Sequence, residues 1–220
     1  MSEAPWEEWE GAAGEVIAET RTSSPVDSFA LAKACHFKVR LHAGRNELRG
    51  DSIYINVRMR PQRQHGRIAH ELGHFALERH GIPDSEPGAR WIGGALQLPR
   101  RDYDRDLART AWSIPSLRAK HVHVSATAIA VRITQLRDAV VSIVDPAGHK
   151  KPWRTMSPWI IDRRLRKLST WETELATAAY EAREEVRGDE LCYALPLVDG
   201  PPSEHRVLVV CEREQLSLRI

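Results

Sequence analysis

The chain has 220 residues, and its 32 lysines and arginines against 30 aspartates and glutamates leave a formal net charge of only +2. This length allows one large domain or two small ones, and 42% hydrophobic with 28% charged residues is an ordinary globular composition. These values exclude a wholly disordered chain and a protein that coats nucleic acid through a global charge excess.

The first part of the chain alternates helical and strand patterns. Residues 1–20, rich in glutamate, fit either a short amphipathic helix or a loosely docked arm, and Ser24 with Pro25 fits the start of a helix that reaches Ala34. Alternating apolar residues then predict strands at 36–42 and 52–57, and the turn-like stretch 46–50 between them favours an antiparallel pair. Helical spacing predicts the next elements at 61–80, 86–96, 102–111, 115–120 and 125–136.

The last third of the chain mixes strands with one long helical pattern. A buried-type strand is predicted at 139–144, a second strand at 149–154 and a helix over 160–187, and strands at 192–198 and 206–210 close the chain. The sequence therefore predicts an α+β protein with an N-terminal arm (1–24), a core with a helical segment (25–137) and a C-terminal α/β part (138–220).

Cysteine use and the absence of an apolar span indicate a compartment. Cys35, Cys192 and Cys211 are an odd number and lie far apart, which argues against a disulfide framework and predicts small buried thiols. The sequence contains no run of 18 apolar residues, so no membrane helix is predicted. The acidic N-terminus does not have the order of a secretory signal. We therefore expect a reducing cytoplasm and no membrane partner.

The segment His70-Glu71-Leu72-Gly73-His74 is an H-E-x-x-H sequence inside the helix predicted at 61–80. Residues four apart share a helix face, so both histidines can point a ring nitrogen at one metal ion. Two neutral nitrogens leave a Zn²⁺ site open to a third ligand and a water, and Glu71 is placed to take a proton from that water as general base. The alternative is two surface histidines on an ordinary helix.

The third ligand has to come from another part of the chain, and three acidic residues follow the motif. Glu78 lies on the same helix, one turn too far along to complete a tetrahedron, and Asp84 lies in the following loop. Glu86 begins the next predicted helix, from which its side chain can reach back. Spacing alone leaves this choice open.

These residues carry a resemblance to the ImmA/IrrE family of bacterial metallopeptidases. The family has an R-x-x-x-A-H-E-L-G-H helix followed by E-x-x-A-N-x-F-A-x-x-L-L-x-P, and this chain has RIAHELGH at 67–74 and EPGARWIGGALQLP at 86–99. The strand-like stretch 52–56 also resembles the family, and the whole match covers about residues 25 to 136. Arg90, Ile92 and the Gly93-Gly94 pair depart from the family's pattern and put the substrate preference in doubt.

The resemblance implies a gluzincin-like zinc endopeptidase with a zincin-like core, in which His70, His74 and Glu86 bind Zn²⁺ and Glu71 activates water. Mn²⁺ is a second candidate metal. Several members of the family cleave a repressor of the Xre helix-turn-helix type, so the expected substrate is a DNA-binding repressor. The alternative from another functional class is a regulatory protein that binds a repressor or DNA and whose metal site is structural or idle.

Other polar residues are weaker candidates for a role. Tyr103 and His123 lie on segments that can fold over the cleft, so either is a candidate stabiliser of the transition state. The stretch 121–133 resembles a helix-turn-helix, but its second helix is mostly apolar, which favours packing over DNA reading. The basic run that includes Lys150, Lys151, Arg163 and Arg164 reads either as a solvated face or as a contact for DNA or an acidic partner.

Overall fold

The computed structural model describes residues 5–148, 150–160, 162–189, 192–197 and 206–214. Within these ranges the chain has eight α-helices, one short 3₁₀ helix and two small sheets, which confirms the predicted α+β class. The chain divides into two compact units, Met1–Ile129 and Ala130–Ile220. The predicted three-part division and the zincin-like character of the core remain predictions.

The first unit contains two helices, a small sheet and then a series of helices. Most of these bounds lie within a few residues of the predicted ones. The elements are α1 (Pro5–Thr20), α2 (Ser28–Ala34), β1 (Lys38–His42), β2 (Glu47–Arg49), β3 (Ser52–Asn56), α3 (Pro61–Arg79), α4 (Glu86–Gln97), α5 (Arg100–Thr110), α6 (Ile114–Lys120) and α7 (Ala126–Leu136), of which α7 continues into the second unit.

Helix α1 is part of the core of this unit. Ala12, Ala13 and Val16 are buried in the same cluster that holds the apolar faces of α3 and α4. On the polar side, Glu10 accepts a hydrogen bond from the indole N–H of Trp91 at 3.1 Å. Of the two expectations for residues 1–20, a helix or a loosely docked arm, the described residues 5–20 form the helix.

Helix α2 begins three residues later than predicted. Asp27 is its N-cap, and the carboxylate accepts a hydrogen bond from the backbone N–H of Phe29 at 2.8 Å. The prediction of a cap at Ser24 is therefore wrong. Serine and aspartate both cap helices well, so residue type alone does not choose between Ser24 and Asp27. The buried side chain of Leu31 sets the position of the helix against the core, and this position places Asp27 at the cap.

The small sheet has the strand order β1-β3-β2, and the two longer strands, β1 and β3, pair in parallel. The prediction that the two longer strands form an antiparallel pair is wrong, because part of the expected turn is itself a strand, β2. This short strand pairs antiparallel with β3 through a tight turn at Gly50, whose φ of +56° suits glycine. β1 therefore pairs with the other edge of β3, and the two strands run in the same direction.

The second unit contains a five-stranded antiparallel sheet with the order β5-β4-β8-β7-β6, and one helix packs on it. Strand β4 has the predicted bounds. Strand β5 begins later than the prediction of 149–154, whose first position lies outside the described residues. The elements are β4 (Ala139–Val144), β5 (Trp153–Met156), the 3₁₀ helix (Arg163–Arg166), α8 (Thr170–Ala182), β6 (Val186–Asp189), β7 (Cys192–Leu197) and β8 (Arg206–Glu212).

The long helix predicted over 160–187 is wrong, because this stretch contains a 3₁₀ helix, a shorter α-helix and a strand. Ser169 starts α8 through a capping box with Glu172, which satisfies two backbone N–H groups at a new helix start. Arg183 has a left-handed backbone that ends the helix. Apolar residues have helical spacing over the whole of 160–187, but the cap at Ser169 and the left-handed residue Arg183 limit the α-helix to its middle part.

The cysteine prediction is also wrong in part. Cys192 and Cys211 form a disulfide between β7 and β8, where the two residues lie directly opposite each other. Their separation of 19 residues in the sequence does not by itself indicate a disulfide, because the distance between the two cysteines depends on how the strands pair. Cys35 is a free thiol of intermediate exposure. In the part of the chain that the structure describes, no helix is both long and apolar enough to span a membrane.

Candidate metal centre

Helix α3 places His70 and His74 one turn apart on the same face. Pro61 occupies the start of the helix, where its missing N–H costs no hydrogen bond. Ile68 and Leu72 are fully buried in the core, and this packing fixes the rotation of the helix. The two imidazole rings lie with centroids 4.8 Å apart and nearly perpendicular.

A short connection then returns the chain to these histidines. Gly81, with a φ of +67°, ends α3, and Ser85 caps the next helix by accepting a hydrogen bond from the backbone N–H of Gly88. Glu86 is the first residue of α4. Its carboxylate therefore projects from the start of one helix toward the face of the other.

Two glycines allow α3 and α4 to approach closely. A Cβ atom on Gly73 would lie 2.3 Å from the carbonyl oxygen of Ala89, and one on Gly93 would lie 3.0 Å from the carbonyl oxygen of Ala69. The helix backbones are thus in contact where larger side chains would separate them. This contact holds the start of α4 within one side-chain length of the histidines.

His70, His74 and Glu86 form a cluster whose ligand atoms all lie within 4.8 Å of one another. The two Nε2 atoms are each 3.6 Å from an oxygen of the Glu86 carboxylate. Ligand atoms of a tetrahedral zinc with bonds of 2.0–2.1 Å are about 3.3 Å apart, so this donor set fits Zn²⁺. Two imidazoles and one carboxylate also suit Mn²⁺.

Asp84 contacts His74 from the side that faces away from the cluster, a position that the sequence does not predict. Its Oδ1 lies 2.6 Å from Nδ1 of His74, so the ring donates this hydrogen bond and turns Nε2 toward the cluster. Asp84 was one of three candidates for the third ligand, and it lies behind His74 instead. The spacing of residues 74 and 84 carries no sign of this contact, which depends on the path of the loop.

The electrostatics of the cluster favour the protonation states that a metal site needs. Burial lowers the pKa of His70, and the neighbouring His74 lowers it further, while Glu86 opposes the change; the net direction favours the neutral imidazole, which is the form that binds a metal. Burial raises the pKa of Glu71; His74 and Arg67 oppose this rise, and the nearby carboxylates of Glu86 and Glu47 add to it. A carboxylate with a raised pKa is a stronger base.

Two guanidinium groups flank the cluster. Arg90 follows Glu86 by one turn of α4, is 73% exposed, and donates a hydrogen bond from one NH₂ group to Oε2 of Glu86 at 3.4 Å. Arg67 precedes His70 by three residues and Glu71 by four, so it lies on the same face of α3. Its side chain is exposed.

The two predicted stabilisers occupy different surroundings. Tyr103 is fully buried and donates its hydroxyl hydrogen to the backbone carbonyl of Ile129 at 2.7 Å. A role for Tyr103 in stabilising the transition state remains a prediction. His123 lies between α6 and α7 and stacks on His65 of α3 with ring centroids 4.4 Å apart. A role for His123 in the reaction remains a prediction.

The basic residues proposed as partner contacts lie in the second unit. Lys150 and Lys151 are in the connection between β4 and β5, and Arg163 and Arg164 are in the 3₁₀ helix. The guanidinium of Arg164 pairs with Asp162 at 2.8 Å. A contact of these residues with DNA or with a partner remains a prediction.

The second helix of the helix-turn-helix-like segment, α7, packs in the protein interior. The α7 residues Ile129, Ala130 and Ile133 are buried. Arg132, a basic residue that DNA reading would use, is fully buried, and its NH₁ group donates to Gln135 at 3.0 Å. These placements favour the packing role over DNA reading.

A helix that presents H-E-x-x-H toward a carboxylate from the next helix is the arrangement of a metallopeptidase-type domain. Residues 32–134 match the family model of Peptidase_M78, the IrrE N-terminal-like domain. The resemblance to the ImmA/IrrE family that was read from the sequence is thereby confirmed over residues 32–134.

The fold is also similar to that of a solved structure. A Mycobacterium tuberculosis transcriptional regulator aligns with a TM-score of 0.63 and 14% sequence identity, over 94% of this chain and 76% of that chain. At this identity the likeness shows a shared fold. No curated protein matches the sequence.

Proposed function

We propose that the protein is a zinc-dependent endopeptidase with a zincin-like core. The observation that carries this proposal is the cluster of His70, His74 and Glu86 beside Glu71, inside a segment that belongs to a metallopeptidase-type family. The donor set fits zinc, and the half-open cluster leaves room for a water and a peptide carbonyl.

Each residue has a distinct role in this proposal. A zinc ion held by the three ligands would polarise the scissile carbonyl and lower the pKa of the attacking water. Glu71 accepts a proton from that water and passes it to the leaving amine nitrogen. Asp84 holds His74 in the tautomer whose Nε2 faces the metal.

The substrate that we propose is a DNA-binding repressor of the Xre helix-turn-helix type, cut to release genes of a phage, a mobile element or a stress response. The match of residues 32–134 to the family model supports this substrate, and a structural neighbour is named a transcriptional regulator. A cytoplasmic location follows from this partner, because a repressor works on DNA there.

The test is the substitution Glu71→Gln, which removes the base and keeps all three ligands. We expect the variant to retain about one zinc per chain by mass spectrometry and to lose cleavage of a co-expressed repressor on a gel. Glu78→Gln is the matched control, because Glu78 is exposed on the same helix, and it should cleave at the wild-type rate. Wild-type cleavage by Glu71→Gln would refute the mechanism.

A second candidate is a non-catalytic regulator that binds a repressor and keeps a structural or idle metal. The similarity to a structure named as a transcriptional regulator favours it. In this case the repressor stays intact with the wild-type protein, and the two proteins co-purify whether or not Glu71 is replaced. The same gel therefore separates the two functions.

A further inference from the structure

We infer that Arg67 and Arg90 form a binding site for an anionic oxygen group beside the candidate metal centre. This inference deepens the proposed function and rests on it, since it assigns the group that the cleft accepts next to the metal. The two arginines come from different helices and border the same histidine, His70.

The position of Arg67 follows from the spacing along α3. Side chains three and four apart on a helix are neighbours, with Cβ atoms about 5–6 Å apart. Arg67 is therefore next to both His70 and Glu71, on the face that carries the cluster. It is exposed, and within the described residues it has no hydrogen bond or ion pair, so its donors face solvent.

The position of Arg90 follows from the close contact of α3 and α4. The neighbours of Gly73 and Gly93 show that the helices run antiparallel, with Ala89 beside residue 73 and Gly93 beside residues 69 and 70. Arg90 lies between these contacts, about level with residue 72. Its guanidinium contacts Oε2 of Glu86 at 3.4 Å, and the same oxygen lies 3.6 Å from Nε2 of His70, so Arg90 is on the His70 side of the cluster.

The donors of this pair are mostly unused. A guanidinium has five N–H donors in a planar fork that matches carboxylate and phosphate oxygens. The contact of Arg90 with Glu86 is long at 3.4 Å and uses one donor, and that carboxylate is also a proposed metal ligand. The carboxylates nearby are Glu86, Asp84, Glu71 and Glu47, and the last pairs with Arg49 at 2.9 Å.

Two sources provide the same chemistry at this place. One is the oxyanion that develops on the carbonyl oxygen as the peptide bond is attacked. The other is an acidic side chain of the substrate next to the bond that is cut. Either source supplies a negatively charged oxygen beside His70, and the site has the donors to hold it.

The experiment titrates inorganic phosphate into the zinc-loaded protein by calorimetry, with the zinc content measured in the same samples. We expect Arg67→Gln and Arg90→Gln each to weaken phosphate binding by about tenfold, the effect of one charge-assisted hydrogen bond. Arg109→Gln, which removes an exposed guanidinium from α5, is the charge-matched control and should bind as the wild type does.

Two results would overturn the inference. The double variant Arg67→Gln/Arg90→Gln could bind phosphate as tightly as the wild type, or Arg90→Gln could lose zinc together with phosphate, which would make Arg90 a support for Glu86. If the wild-type protein holds no zinc, the metal proposal fails, and the same comparison in the metal-free protein still decides the anion site.

A second titration separates the two sources. Peptide hydroxamates with Glu or Gln beside the metal-binding group are compared on the zinc-loaded wild type and double variant. A preference for Glu that disappears in the double variant identifies a substrate carboxylate. Equal binding of both peptides, with the phosphate effect retained, identifies the oxyanion. If no repressor is cleaved while the phosphate effect persists, the proposed function fails and the anion site stands.

Discussion

At the scale of single residues, the candidate centre depends on side chains that orient other side chains. His74 is the clearest case, because a ring that can rotate presents either nitrogen to a metal. The 2.6 Å hydrogen bond to Asp84 removes this freedom and fixes Nε2 toward Glu86. The loop that follows α3 thus orients one side chain of the candidate site without supplying any of its three candidate ligands.

We predict that Asp84→Asn and Asp84→Ala weaken zinc binding by about 10- to 100-fold, with the larger loss for alanine. Asparagine still accepts a hydrogen bond but loses the charge that makes the imidazole a better ligand. Competition with a chromophoric chelator measures the affinity. Asp51→Asn, at an exposed turn, is the control, and an unchanged affinity in Asp84→Ala would show that His74 is oriented by other means.

At the scale of elements, the centre is a product of the contact between α3 and α4. The histidines belong to the first helix and the carboxylate to the second, so their distance is set by how closely the helices pack. Gly73 is the tightest point of that contact. The H-E-x-x-H motif therefore includes, at its fourth position, a residue that acts through packing.

Gly73→Ala should separate α3 from α4 and damage the metal site. The added methyl group meets the Ala89 carbonyl oxygen at 2.3 Å, so backbone has to move, with an expected loss of about 1–3 kcal/mol in the free energy of unfolding. Urea unfolding and zinc content are the measurements. We expect the zinc content to fall in parallel, because the displaced helix carries Glu86.

Gly66→Ala is the matched control on the same helix. The nearest atom to its added methyl group is the side-chain oxygen of Gln97, at 4.0 Å. The gain in helix propensity should then stabilise the protein by up to about 1 kcal/mol. Equal effects of the two substitutions would show that close helix packing does not determine the site.

At the scale of the whole molecule, the metal proposal concerns one of two compact units. The three candidate ligand residues lie in Met1–Ile129, and the disulfide and the five-stranded sheet lie in Ala130–Ile220. A metal that bridges α3 and α4 binds only when these helices are folded together. Metal binding should therefore stabilise the unit that contains them.

Zinc at 100 times its dissociation constant should raise the free energy of unfolding by about 2.7 kcal/mol relative to protein in chelator. Urea unfolding followed by circular dichroism measures this difference, and where two transitions are seen only one should move. Glu86→Gln should lose most of the gain and Glu78→Gln should retain it. A gain of equal size in Glu86→Gln would place the bound zinc elsewhere.

Local features of the sequence were sufficient for much of this description. The α3 bounds and the shared face of His70 and His74 follow from helical periodicity, and Ala139–Val144 follows from a continuous apolar run. Spacing along the chain leaves the choice of the third ligand open, and the resemblance assigns it to Glu86. The structure brings Glu86 close to the two histidines. Its role as a ligand is still to be tested by metal binding.

The sequence by itself determined most helices of the first unit, the H-E-x-x-H motif and the resemblance to the family over residues 32–134, because these depend on residues close together in the chain. Only the tertiary structure decided the parallel pairing of β1 with β3, the place of Asp84 behind His74, and the bond between Cys192 and Cys211. Each of these depends on which segments become neighbours after folding. Periodicity reports which face of an element is buried, and it carries no information on the element that covers that face.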